Sequence, residues 1–154
     1  MKKFFKILFF IILLSILILW LVKVFLLTHK YQVKYYNEDK IEKDIVITFN
    51  GIYGYEKQLR FIDEKLAEDG YTVVNIQYPT VDDKIIEMTD KYIAPIIDEQ
   101  VKKINEVNLE RKDKNLPELK IHFVVHSMGS CLLRYYLKEH KLDSLGKVIL
   151  ITPP

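Results

Sequence analysis

The longest run of apolar residues in the chain lies at its N-terminus. No charged residue appears from Ile7 to Val22, and after one lysine the apolar run continues to Leu27. A helix over Ile7 to Leu27 would be about 31 Å long, which is enough to cross a hydrocarbon core of about 30 Å. The pattern therefore predicts a membrane-spanning helix, and we assign residues 1–27 to an N-terminal membrane anchor.

A cleaved signal peptide is the alternative interpretation of this run. A signal peptide has a shorter apolar core and ends at a small-x-small site, but no such site occurs between Leu19 and Gln32. An uncleaved anchor is therefore favoured. Three lysines, Lys2, Lys3 and Lys6, precede the run, and basic residues collect on the cytoplasmic side of a membrane. This predicts a single-pass protein of a bacterial cell membrane, with a cytoplasmic N-terminus and an extracytoplasmic domain.

After the anchor, the pattern changes to short apolar runs separated by amphipathic stretches. Residues 28–44 are polar and aromatic, which predicts a juxtamembrane connector with one short strand at Tyr31 to Tyr36. Ile45 to Phe49 is a β-branched run of the kind found in buried parallel strands. Tyr55 to Asp69 carries apolar residues at helical spacing and is followed by Gly70, which suits a helix C-cap.

The alternation of strand and helix patterns continues along the rest of the sequence. Pro95 should kink or divide the longest helix, because proline cannot donate the helical hydrogen bond. Alternating apolar strands and helices predict an α/β fold with a parallel sheet of about four strands flanked by helices, formed by residues 45–154. The predicted elements are a strand at Tyr71 to Gln77, a helix at Val81 to Asn108, a strand at Lys120 to Val125, a helix to about His140 and a strand at Val148 to Ile151.

Composition and charge narrow the classes of function. The 23 Lys and Arg residues nearly balance the 21 Asp and Glu residues, so the chain lacks the basic excess of a nucleic-acid-binding protein. The single cysteine, Cys131, cannot form a disulfide within the chain and is predicted to be a small core residue. No Cys/His cluster has the spacing of a metal site. We therefore expect no nucleic-acid partner and no metal.

Ser127 is the candidate nucleophile, because it lies between an apolar strand and a predicted helix. This is the arrangement of a nucleophile elbow, in which a sharp strand-to-helix turn with φ > 0 exposes a serine hydroxyl. The flanks of such a turn must be small to avoid clashes. Gly129 meets this need, whereas Val125 stands where the pattern G-x-S-x-G has glycine.

Residues 45–154 resemble an α/β-hydrolase, and more narrowly the bacterial lipases and esterases with a His-Ser-Met-Gly signature. The most specific segments are His122 to Gly129, which contains the elbow, and Leu145 to Pro154, a strand followed by a small residue and paired prolines. The resemblance implies that Ser127 is the nucleophile and that the backbone N–H of Met128 is one oxyanion donor.

The resemblance also implies a second half of the oxyanion site. Asn50 and Gly51 match the His-Gly pair that follows the first central strand of the family, with asparagine in place of histidine. The N–H of Ile52 is then the second donor. Two such amides stabilise the oxyanion of a tetrahedral intermediate, each by about 3 kcal/mol.

In this fold the triad order is serine, acid, histidine, and the last two follow later strands. The sequence ends after the strand at Val148, so we expect neither the triad acid nor the triad base among these residues. The chain is interpreted as the N-terminal part of a hydrolase whose reading frame ended early, or as the product of a fragmentary gene model. The four histidines are predicted to have no catalytic role: His122 and His126 fill the core, and His29 and His140 lie on the surface. A serine without a base is a weak nucleophile, so little or no activity is expected from these residues alone.

Two classes of function remain open at this point. The first is a membrane-anchored serine hydrolase of the lipase/esterase type, which cleaves a carboxylic ester through an acyl-enzyme on Ser127 and needs no cofactor. The anchor favours lipid esters, and an acyltransferase would use the same site with an alcohol in place of water. The second is a non-catalytic membrane-anchored binding or assembly protein. The sequence does not allow a prediction of the oligomeric state.

Overall fold

The structure, a computed structural model, describes residues 2–39, 41–54, 56–81 and 83–154. Met1, Lys40, Tyr55 and Asp82 lie outside the described residues. The predicted start of the anchor at residue 1 and the predicted start of the second helix at Tyr55 therefore fall outside them as well.

The N-terminal apolar run forms α1, Lys2–Thr28. Its stretch Lys3–Leu26 is long and apolar enough to cross a membrane, and none of it is buried against the rest of the chain. The hydroxyl of Ser15 donates a hydrogen bond to the carbonyl oxygen of Ile11 at 2.9 Å. The polar group in the middle of the run is therefore satisfied within the helix, as a hydrocarbon environment requires.

Five strands form one mixed sheet in the order β1-β3-β2-β4-β5. The four parallel strands predicted from the sequence are confirmed. The fifth strand, β1, lies in the segment predicted to be a connector and pairs antiparallel with the edge of β3. The strands are β1 at Gln32–Tyr36, β2 at Ile45–Phe49, β3 at Thr72–Gln77, β4 at Ile121–His126 and β5 at Leu145–Ile151.

Helices cover both faces of the sheet. Two apolar clusters separate the layers, one under α2 with Val46 and Val124, and a larger one under the other helices with Phe49 and Phe123. The helices are α2 at Arg60–Glu68, α3 at Ile85–Met88, α4 at Ala94–Asp113 and α5 at Gly129–Glu139, with a 3₁₀ turn at Glu56–Gln58 before α2.

The predicted break near Pro95 is confirmed. A π-helical turn, Thr89–Ile93, joins α3 to α4, and Pro95 lies in the first turn of α4. Proline has no N–H for the bond to the fourth preceding carbonyl, and the wide turn accommodates that loss. Gly70 also has its predicted role, because it follows α2 with φ +88° and its N–H donates to Ala67 at 2.9 Å.

The sheet ends at β5, which pairs only with β4 among the described strands. The sequence predicts an apolar strand here, and Val148 and Ile149 are 39% and 51% exposed at this edge of the sheet. At the carboxyl ends of β2 and β4, the loop after Phe49 and the turn after His126 lie side by side, because the two strands are parallel neighbours.

Candidate active site

Ser127 occupies a strained turn between β4 and α5. Its φ is +50°, a left-handed conformation that a residue with a side chain adopts at an energetic cost of order 1–3 kcal/mol. Hydrogen bonds on both sides hold the turn. The N–H of Ser127 donates to Ile151 at 2.9 Å, and its carbonyl oxygen accepts from the N–H and the hydroxyl of Ser130 at 2.9 and 2.6 Å. This is the backbone geometry of a nucleophile elbow.

The two flanks of the elbow have different steric requirements. A Cβ atom on Gly129 would lie 2.7 Å from the carbonyl oxygen of Asn50, so a side chain at this position would collide with the neighbouring loop. Val125 is fully buried and its side chain packs in the larger apolar cluster. The φ of Val125 is not positive. A valine is therefore compatible with the turn where the usual pattern has glycine.

Gly51 brings the loop after β2 into contact with the elbow. A Cβ atom on Gly51 would lie 2.6 Å from the Cβ of Ser127 and 2.9 Å from the amide nitrogen of Met128. The loop is tight, since the N–H of Gly54 donates to the carbonyl oxygen of Gly51 at 2.9 Å. The two segments that the resemblance connects with an oxyanion site are thus in contact.

The amides of Ile52 and Met128 are the implied oxyanion donors. Neither amide donates a hydrogen bond to another group in the described part of the chain. Both residues line one open cavity of about 590 Å³ beside the elbow. The structure therefore brings together the residues that the sequence assigned to the site, with Gly51 against Ser127 and Gly129 against the carbonyl oxygen of Asn50.

Two residues that sequence reasoning missed hold the loop after β2 in place. This loop, residues 50–54, contains the implied donor Ile52 and is called the oxyanion loop below. The phenol of Tyr78 donates to the carbonyl oxygen of Asn50 at 2.6 Å, and the hydroxyl of Thr80 accepts from the N–H of Tyr53 at 3.0 Å. Burial raises the pKa of Tyr78 well above its usual value, with a smaller contribution from Cys131, so the phenol stays a hydrogen-bond donor. Both residues directly follow β3, so they lie at the carboxyl ends of the parallel strands, where the site is. This position in the sequence is the signal that could have identified them.

His122 has a different role from the one predicted. Core filling is wrong for this residue, because it is half-buried and both of its ring nitrogens are hydrogen-bonded. Its Nε2 lies 2.8 Å from a carboxylate oxygen of Asp44, and its Nδ1 accepts from the N–H of Lys147 at 2.7 Å. His122, which lies five positions before Ser127, therefore connects the start of β4 to the segment before β2 and to β5.

In the described part of the chain, the remaining histidines make no hydrogen bond to the Ser127 hydroxyl either. His126 is half-buried, and its buried Nδ1 has no hydrogen-bond partner in the described chain. His140 stacks on Tyr136 with ring centroids 4.4 Å apart, and the ring of His29 lies tilted against that of Phe25 at the end of α1. No hydrogen bond joins the Ser127 hydroxyl to a histidine or carboxylate in the described ranges.

The described residues also contain no group of three or more His, Cys, Asp or Glu side chains that could hold a metal ion. Cys131, which the sequence predicts to be a small core residue, is a free and half-buried thiol on the first turn of α5.

Comparison with known proteins gives a fold but no sequence family. No protein-family model matches the sequence, and no curated protein matches it. Among solved structures, the chain is similar to the monoacylglycerol lipase of Paleococcus ferrophilus, with a TM-score of 0.55, 15% identity, and coverage of 80% of this chain and 43% of that one. It is also similar to the thioesterase domain from the curacin biosynthetic pathway, with a TM-score of 0.51, 18% identity, and coverage of 81% and 46%.

This chain thus spans less than half the length of either protein. At such low identity the likeness establishes the fold alone. The order of the parallel strands, the helices on both faces and the turn at Ser127 agree with it, and the chain has the α/β-hydrolase fold.

Proposed function

We propose that this chain carries the nucleophile and the oxyanion site of a membrane-anchored serine hydrolase of the lipase/esterase type. The observation that carries the proposal is the contact between two segments far apart in sequence. The elbow presents Ser127 at φ +50°, and the loop of Gly51 is pressed against it, so that the amides of Ile52 and Met128 lie beside one cavity.

The proposed reaction is acyl transfer through the serine. The Ser127 oxygen attacks the ester carbonyl, and the negative charge that develops on the carbonyl oxygen is stabilised by the amides of Met128 and Ile52. The C–O bond to the alcohol breaks, and the alcohol leaves with a proton. Water then hydrolyses the acyl-enzyme, which releases the carboxylic acid and restores the serine hydroxyl.

The described residues supply the nucleophile and the donors but no base in contact with the serine. Removal of triad members from a serine hydrolase leaves a residual acceleration of roughly 10³-fold to 10⁴-fold over water, from the oxyanion site and binding. We therefore expect these residues alone to react with strong electrophiles at Ser127 and to turn over esters slowly or not at all.

The exposed apolar surface of α1 supports anchoring in a membrane. The basic residues before it support a cytoplasmic N-terminus and an extracytoplasmic domain. Protease added to intact cells should then digest the domain and leave the anchor. Complete protection of the domain, with digestion after the cells are opened, would contradict this orientation.

A fluorophosphonate probe on membranes that contain the full chain tests the nucleophile. We expect labelling of the wild type that disappears in Ser127→Ala and persists in Ser144→Ala, a matched change at a buried serine near the opposite end of β4. Absence of labelling in a folded wild-type sample, or labelling that survives Ser127→Ala, would instead favour a non-catalytic binding or assembly protein.

A further inference from the structure

We propose that a groove between the anchor helix and the oxyanion loop conducts the acyl chain of a bilayer lipid from the membrane to Ser127. This inference rests on the proposed function and specifies its substrate: a lipid ester whose chain stays in mostly apolar surroundings from the bilayer to the elbow.

The first observation is a cavity of about 490 Å³ that lies between α1 and the domain. One wall is formed by the last turns of α1, including Leu21, Val22 and Phe25, and the other wall by Tyr53 and Val81. Its size is within the usual range for sites that bind small molecules. The membrane-spanning candidate helix therefore contributes directly to a cavity of the domain.

The second observation is that this cavity adjoins the one at the active site. Tyr53 and Val81 also line the cavity of about 590 Å³ that contains Ile52 and Met128. These two side chains are a common wall of both cavities. The second cavity reaches Met128, the residue that follows Ser127. Together they form a path from the end of α1 to the candidate oxyanion donors.

The third observation is the apolar surface along the path. Ile52, Tyr53 and Val81 are 50%, 62% and 38% exposed, an unusual concentration of exposed apolar side chains on two adjacent loops. An acyl chain drawn across a polar surface would lose roughly fourfold in binding for each methylene exposed to water. The second cavity also has polar lining at Thr80, Asp83 and Lys84, but most of its lining is apolar. A path along this apolar lining and α1 avoids much of that loss, which favours a lipid chain as its occupant.

A short tether keeps the path close to the membrane. Only residues 29–31 separate the end of α1 from the start of β1, so the sheet begins at most roughly 14 Å from the end of the helix. The Tyr31 ring packs against Tyr92 on the π-helical turn with centroids 5.2 Å apart. The site therefore stays beside the outer end of the helix, where chains of bilayer lipids are the abundant apolar molecules.

The test uses the full chain with Ser127→Ala, reconstituted in phosphatidylcholine vesicles that contain a diacylglycerol with a diazirine near the end of one acyl chain. After illumination, crosslinked peptides are identified by mass spectrometry. We expect crosslinks at Tyr53 and Val81 as well as at the end of α1. The variants Val81→Trp and Val22→Trp, which fill the groove from its two sides, should reduce the crosslinks at Tyr53 at least severalfold.

Leu13→Trp is the matched control, because this exposed position of α1 does not line the groove and should leave the crosslinks unchanged. Crosslinks confined to α1, or crosslinks at Tyr53 that survive both groove-filling variants, would overturn the proposal. A water-soluble short-chain ester with the same diazirine should label Tyr53 much more weakly. Equal labelling would show access from water and would also overturn the bilayer route.

The two proposals fail separately, because crosslinking in Ser127→Ala does not depend on the nucleophile. Crosslinks at Tyr53 without fluorophosphonate labelling of the wild type would retain the lipid path and reject the hydrolase. Fluorophosphonate labelling without crosslinks at Tyr53 would retain the hydrolase and reject the path.

Discussion

Gly51 and Ser127 approach each other so closely that a Cβ atom on Gly51 would stand 2.6 Å from the Cβ of Ser127. Real Cβ atoms do not approach to this distance, so the loop after β2 can touch the elbow after β4 only because Gly51 has no side chain. The two strands are parallel neighbours, and both segments leave the sheet at the same edge. The contact positions the Ile52 amide relative to the serine.

Gly51→Ala should therefore separate the loop from the elbow. Adding a methyl group to a filled contact costs about 1–3 kcal/mol, since the nearest atoms include the backbone of His126 and Met128. We expect a lower free energy of unfolding and loss of fluorophosphonate labelling at Ser127. Urea unfolding of the full chain in detergent micelles measures the first, and gel fluorescence of the probe measures the second.

Gly146→Ala is the control for this change. A Cβ at Gly146 would collide with the ring of His122, 2.3 Å away, near the opposite end of β4. This variant should also lose stability, while the part that remains folded is still labelled at Ser127. Equal loss of labelling in the two variants would mean that the probe reports folding and not the loop contact.

Asp63 is a buried carboxylate that joins α2 to the sheet. Its two oxygens accept hydrogen bonds from Thr48 and Asn75, each at 2.8 Å, and all three side chains are fully buried. Asp63→Ala leaves two buried donors without this acceptor, at a cost of about 1–3 kcal/mol for each unsatisfied group. We expect a decrease of about 3 kcal/mol in the free energy of unfolding, measured by urea titration.

Glu64→Ala, at the next position of the same helix, is the matched control. Glu64 is exposed and pairs with Arg60 at 2.7 Å on the surface, and such pairs add little to stability. A loss in Asp63→Ala no larger than that in Glu64→Ala would show that the buried network does not stabilise the fold.

His122 is expected to be structural, despite its contact with a carboxylate. The His122–Asp44 pair resembles the base and acid of a triad. However, Nε2 of His122 is bonded to Asp44, and Nδ1 of His122 accepts a hydrogen bond from the N–H of Lys147. Neither nitrogen is available for a proton from Ser127. His122→Ala should therefore lower the melting temperature and leave the rate of fluorophosphonate labelling of the folded protein unchanged. A large fall in that rate at a temperature where the variant is folded would contradict this role.

Local patterns in the sequence predicted the features that depend on neighbouring residues. The apolar run at Ile45–Phe49 is β2, Gly70 ends α2, and the strand-to-helix turn at Ser127 has the expected positive φ. These features depend on periodicity and on steric limits within a few residues. The start of β5 was missed, because Gly146 lies within it and its pairing with β4 is irregular near His122.

Features that depend on contacts between distant segments were not predictable in the same way. The antiparallel pairing of β1, the bond from Tyr78 to Asn50 and the network around Asp63 each join segments separated by many residues. The sequence shows that these residues are polar or aromatic but not which partner satisfies them. The roles of Ile52 and Met128 as oxyanion donors stay predictions for the same reason, and the labelling experiments test them.

Tyr78 offers a test of the oxyanion loop that does not require catalysis. Its buried phenol donates to Asn50, and Tyr78→Phe removes this bond at a cost of about 1 kcal/mol at neutral pH. Thr80→Ala removes a second hydrogen bond to the loop, which the Thr80 hydroxyl accepts from the N–H of Tyr53. Both variants should lose stability at pH 8, in urea unfolding followed by circular dichroism.

Their behaviour in alkali should differ. Burial raises the pKa of Tyr78 above the usual value of 10, so above pH 10 the unfolded chain loses a phenolic proton that the folded chain retains. Unfolding then releases a proton, and the free energy of unfolding falls with pH by about 1.4 kcal/mol per unit for this group. Below pH 10 both states are protonated and this dependence vanishes. The fall above pH 10 should be shallower in Tyr78→Phe and unchanged in Thr80→Ala. The same slope in wild type and Tyr78→Phe would show that this phenol is not buried in the folded protein.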